Sequence, residues 1–234
     1  MKHFLYILIF STVFSYSFSQ SNKTYFDSSI EVDNYNVPIN SSTFYFPTKL
    51  FPKVDMELKE DRKNSLIIIP KLIPNSIDSF DLKWFSEFLF AMKEPLLFNK
   101  KIKKEIFRFT WLRSFDQPIV IRIEKDSNNV ALYWKITDGA GGYKPGSLIQ
   151  NMNIDVTMND WRQFIKLTKL LDFWNFQRKS SFGTDGAEWI LEGVNDNKYY
   201  ATSCWSPFEN EEFYKTCIFL VKLTGIKIEK DKMY

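Results

Sequence analysis

A chain of 234 residues, 44% hydrophobic and 25% charged, with 31 basic against 28 acidic residues, has the composition of an ordinary globular protein; disorder, collagen and coiled coil are excluded. The formal charge of +3 is too small to steer the chain toward nucleic acid or an anionic membrane. More telling are the small counts: one histidine, two cysteines, and eight glycines that all lie between Gly139 and Gly225.

The N-terminus reads as a signal peptide. Lys2 and His3 precede an apolar run from Phe4 to Phe14, and Ser17-Phe18-Ser19 sets small residues before a cleavage site at Gln20. The run falls well short of the about 20 apolar residues that span a bilayer. Residues 1–19 are therefore expected to be removed, leaving a secreted or periplasmic chain with no membrane insertion. His3 leaves with them, so triads, Cys-His catalysis and the common zinc sites lose their imidazole. No metal and no cofactor is expected.

Residues 20–62 read as an extended, Asn/Ser/Pro-bearing leader, lying on the surface or partly disordered, with Pro38, Pro47 and Pro52 interrupting any periodicity. Residues 63–234 read as one domain. Leu66 to Ile69, stopped by Pro70, suits an edge strand. A helix is predicted over Ser79 to Lys93, with Phe85, Phe88, Leu89 and Met92 at core spacing and Pro95 ending it.

A β-meander follows. With a tight turn at Phe115 to Pro118 and a four-residue loop at Asp126 to Asn129, one face collects Leu112, Ile119, Ile121, Ile123, Leu132, Trp134 and Ile136. The other collects Phe107, Phe109, Trp111, Arg113, Arg122, Glu124, Tyr133 and Lys135. After the glycine-rich turn Asp138 to Gly146 comes a fourth strand through Leu148 and Ile149. Thr157 and Asp160 form a capping box opening a helix whose apolar face carries Trp161, Phe164, Ile165, Leu167, Leu170, Leu171 and Trp174. Gly183 to Gly186 turns into a hairpin of Ala187 to Leu191 and Tyr199 to Trp205. Ser206-Pro207-Phe208-Glu209 predicts a helix start, and Gly225 its stop. The order specifies an α+β fold, an antiparallel β-meander plus hairpin packed with about three helices.

Trp111-Leu112-Arg113-Ser114-Phe115, Asp138 to Gly146, Phe173-Trp174, Gly183 to Trp189 with Leu191-Glu192-Gly193, and Trp205-Ser206-Pro207 together resemble a family of uncharacterised bacterial exported proteins over about residues 104–224. The chain departs from that pattern at Cys204, where a basic residue would precede Trp-Ser-Pro. The resemblance implies bacterial export and carries no assigned activity.

Chemistry is sparse. The glycine turn is followed by Pro145, Gly146 and an extended segment, not by the helix start that a phosphate loop needs. Asp185, Glu188 and Glu192 offer paired carboxylates for a histidine-free hydrolase of envelope glycans. Cys204 and Cys217 can close a disulfide, worth about 3 kcal/mol in the chain-entropy picture, or stay as buried thiols. Trp111, Arg113, Arg122, Glu124, Tyr133 and Lys135 form the candidate ligand face, suited to an anionic or planar ligand. Against it stands a plainer arrangement in which the first helix or the leader covers that face and Arg122 pairs with Glu124. The function expected is binding, of a small anionic ligand or an unknown protein.

Overall fold

The computed structural model describes residues 26–60, 66–73, 76–178, 185–195 and 198–234. The signal peptide, its cleavage site and the Gly183-Thr184 part of the turn lie outside them. Two strands, β1 (Val54–Glu60) and β2 (Leu66–Leu72), pair antiparallel as a separate ribbon, with Pro70 opposite Met56. The helix α1 (Ser79–Ala91) follows, and its N-cap is Asp78, whose carboxylate accepts the Asp81 N–H. Phe85, Phe88, Leu89 and Met92 are all fully buried, as their spacing requires.

The main sheet holds β3 (Glu105–Arg113), β4 (Ile119–Asp126), β5 (Asn129–Thr137), β6 (Leu148–Asp155), β7 (Ala187–Asn195) and β8 (Lys198–Trp205). All neighbours are antiparallel, in the order β6-β5-β4-β3-β7-β8. The predicted α+β meander-plus-hairpin architecture is the observed one. On one face lie α2 (Met158–Leu170) and α3 (Glu212–Thr224), over a core of Phe107, Phe109, Trp111, Ile121, Trp134, Phe164, Trp189 and Leu220. The other face packs against α1 and the N-terminal segment through Val120, Ile190, Tyr199, Phe85 and Leu89. The sheet is thus buried on both sides and needs apolar residues on both.

The Thr157–Asp160 capping box opens α2 as expected. Trp161, Phe164 and Leu171 are buried, but Leu170 is exposed, so the apolar face is narrower than the sequence pattern implies. The predicted start of α3 is early. Ser206 adopts φ of 39° and closes β7, its backbone bonding the Ala187 carbonyl while its Oγ accepts the Ala187 N–H, and the helix begins at Glu212. Gly225 ends it at φ 73°, a conformation that favours glycine.

Two further expectations are corrected. The leader is not a surface segment: Tyr45, Phe46 and Phe51 are essentially inaccessible, and Phe46 and Phe51 form edge-to-face contacts with each other and with Phe85. The β3–β4 register also differs. Trp111 pairs with Ile119, so Phe107, Phe109 and Trp111 share a face with Ile119, Ile121 and Ile123, while Leu112 lies on the opposite one. The tight turn does not form because its residues bond elsewhere. Ser114 exchanges bonds with Gly186 and accepts the Gly142 N–H, Asp116 accepts the Gly141 N–H, and Leu112 and Arg113 pair with β7. A Cβ on Gly141 would meet the Leu112 and Arg113 backbone at 2.4 to 2.6 Å, so the glycine turn and this connection are built to touch. The second hairpin has the predicted register, Lys125 opposite Val130.

Candidate functional site

The register error divides the predicted ligand face in two. Arg122, Glu124, Tyr133 and Lys135 stay together on the face toward α1, whereas Trp111 and Arg113 lie on the other side. There they hold the segment ending at Tyr234. The indole Nε1 groups of Trp111 and Trp189 donate to the Tyr234 carbonyl at 2.9 and 3.2 Å, and Arg113, stacked over Trp111, donates to the carbonyls of Gln117 and Lys232. Both residues fasten the chain to itself.

The place of Arg113 is taken by Arg108, whose row runs Asn153, Tyr133, Arg122, Arg108, Glu192, Ala201 across all six strands. Arg108 is fully buried. It bonds the Glu192 carboxylate through Nε at 2.8 Å and the Pro95 carbonyl through Nη1 at 2.7 Å, while Tyr199 donates to the other Glu192 oxygen. Glu94, from the turn after α1, stands 3.5 Å from Arg108, 3.0 Å from Arg122 and 2.9 Å from Lys135. Burial alone would raise its carboxyl, but Arg122, Lys135 and Arg108 outweigh that and hold it at about 2. Arg122 also pairs with Glu124 and lies over the Tyr133 ring at 4.5 Å. The plainer arrangement is therefore partly realised, with Glu94 as an added centre that sequence reasoning did not single out.

Arg122, Glu124, Tyr133 and Lys135 of this network line an open groove of about 500 Å³. Its walls include Tyr35 and Asn36 from the N-terminal segment, Lys93, Lys100 and Lys104 from the α1–β3 connection, and Asn151 from β6. Asn36, at φ of 64°, exchanges side-chain amide bonds with Asn99 and donates to the Leu96 carbonyl, which anchors the wall. Asp33 accepts the Tyr35 and Val37 N–H groups and Glu124 bonds Arg122 and Lys104, so the groove's own acids are engaged. Lys93 and Lys100 make no ion pair among the described residues.

The alternative acidic site does not assemble. Asp185 is exposed on its turn, and Glu192 is committed to Arg108 and Tyr199. Glu188 is 5% exposed on the same face of β7, about 13 Å away along the strand, beyond the 5 to 10 Å of glycosidase pairs. Burial pushes Glu188 up to about 7, and Arg178 opposes only part of that. Cys204 and Cys217 are buried and unbridged. Among the described residues there is no group of acidic or cysteine side chains able to hold a metal ion, and no helix long and apolar enough to cross a membrane.

Sequence reasoning missed Glu94, Arg108 and Asn36. Arg108 is the one charged residue in the run Ile106 to Leu112, and a lone cation inside such a strand implies a buried acid elsewhere. Neither the protein-family models nor the curated proteins compared with this chain give a match.

Proposed function

We propose that the chain is an exported binding protein that takes a small anionic ligand in the groove between the sheet and its N-terminal segment. The observation that carries this reading is the surplus of positive charge in one open cavity. Lys93, Lys100, Lys104, Arg122 and Lys135 line it, and the acids within reach are already bonded. Tyr133, with Arg122 over its ring, supplies a planar surface at the floor. The N-terminal signal pattern and the resemblance to bacterial exported proteins support a place outside the cytoplasm. The geometry favours binding over glycan hydrolysis, since Asp185 stands exposed on its turn, Glu192 is bonded to Arg108 and Tyr199, and Glu188 lies buried about 13 Å from Glu192 along the strand.

The experiment is a thermal-shift screen of the purified protein against inorganic phosphate, sugar phosphates, di- and tricarboxylates and acidic cell-wall fragments. A rise in Tm with one of these classes, lost in a Lys100→Ala/Lys104→Ala variant, is expected. A flat response to every anion, or a shift equal in the variant, overturns the reading.

A further inference from the structure

Among the described residues, β6 is an edge strand of the main sheet. The Val156 N–H bonds the Val130 carbonyl at 3.0 Å, which fixes the phase of the β5–β6 ladder. Hydrogen-bonded pairs alternate along an antiparallel ladder. From Gln150 to Asp155 the even-numbered residues thus turn their backbone toward β5, and Asn151, Asn153 and Asp155 turn theirs outward; at Ile149 a bulge shifts the register. Among the described residues these outward groups have no backbone partner. The strand is eight residues long, carries no proline or lysine, and has one charge, Asp155. Of the usual devices that keep an edge from pairing, β6 carries a bulge at its first residues and the charge of Asp155 at its last, and the stretch from Gln150 to Ile154 carries none. At the opposite edge, by contrast, Tyr199, Ala201, Thr202, Ser203 and Cys204 of β8 are buried.

We propose that β6 is a self-association edge, on which a second copy of this chain adds its own β6 antiparallel across a two-fold axis normal to the sheet. Such an axis keeps like face with like face, so residues of equal parity must meet. A register centred on Met152 uses the regular part of the strand, with Met152 opposite Met152, Asn151 opposite Asn153 and Gln150 opposite Ile154. The outward-facing Asn151 and Asn153 then fall at hydrogen-bonded positions, and Met152 at a close non-hydrogen-bonded one. The occupant is a second copy because Asn151-Met152-Asn153 is symmetric about the axis and supplies its own partners. Met152, 51% exposed, continues the apolar row of Trp134 and meets the Met152 of the other copy, while the asparagines line the other face. Asn151 also borders the groove, so the two grooves of a dimer would open on one face beside the axis. The pairing does not depend on a ligand.

Sedimentation velocity of the purified protein, without ligand, tests the proposal. Twice the monomer mass is expected, with dimerisation weakened by about tenfold or more in Asn153→Pro, which removes an outward N–H that the monomer does not use. Asn153→Lys should act in the same direction and guards against a folding defect in the proline variant. Met152→Cys is expected to oxidise to a covalent dimer on a non-reducing gel, and Gln150→Cys, opposite Ile154, is not. A monomer at every concentration, or a dimer indifferent to both Asn153 variants and without the Met152→Cys crosslink, overturns it.

Discussion

Arg108 and Arg122 stand directly opposite each other on β3 and β4, and Glu94 reaches both from outside the sheet, at 3.5 and 3.0 Å. Like charges facing across a strand pair repel, so this face of the sheet closes because the turn after α1 delivers a carboxylate. Lys93 at φ of 51° and Pro95 set that turn, and Lys135 ties it down by donating to the Lys93 carbonyl. Arg122 and Lys135 carry this network to the floor of the groove.

Glu94→Gln removes the shared counter-charge from three buried or nearly buried cations. A loss of about 3–5 kcal/mol in urea unfolding is expected, as for other broken buried pairs. A loss below about 1 kcal/mol would mean that Glu192 and Glu124 suffice without it.

Stability should depend on pH in two opposite ways. Glu94 is depressed in the fold from 4.5 to about 2, so its contribution is present above 4.5 and is lost as pH falls toward 2. Glu188 is raised from 4.5 to about 7, so its contribution is full below 4.5 and is lost as pH rises through 7. Unfolding free energy therefore peaks near pH 4.5 to 5. In Glu188→Gln the decline from pH 5 to 8, about 3 kcal/mol for a shift of this size, should vanish from a denaturation series. An unchanged decline would assign it to another group.

Separate faces imply separable effects. Arg113→Ala removes the stack on Trp111 and two bonds to carbonyls, costing about 2 kcal/mol of stability with ligand affinity unchanged. Tyr133→Ala leaves that region intact and weakens the anion found by screening by about fivefold. Calorimetric titration of both variants reads the difference, and equal effects on affinity would contradict the face assignment.

Both thiols should be found free. Burial pushes the Cys217 thiol well up, with Cys204 adding to it, so neither cysteine should react with a thiol reagent in the native protein. Two equivalents are expected to react after unfolding without reductant. None reacting would mean that Cys204 and Cys217 are bridged in the purified protein.

Much of the architecture was legible because local chemistry and tertiary structure agree. The Phe85 to Met92 spacing, the Thr157–Asp160 box, the Lys125–Val130 loop and Gly225 each have a cause within a few residues. What failed depends on distant partners. The turn before β4 is set by Gly141, Gly142 and Gly186, and the start of α3 by a Ser206–Ala187 bond across the hairpin. The site was half legible for the same reason. Arg122, Glu124, Tyr133 and Lys135 follow from one correct hairpin, while Trp111 and Arg113 inherited the slipped one. Glu94 and Asn36 reach the site from segments whose local pattern says only helix end and loop.

The central claim is that anions enter the groove between the sheet and the N-terminal segment. An amide-shift titration of the isotopically labelled protein with the best anion from the screen tests it most directly. Perturbations centred on Tyr35, Asn36, Lys100 to Lys104, Tyr133 and Asn151 are predicted. Perturbations centred instead on Asp185 to Glu192, or scattered over the surface without saturation, would contradict it.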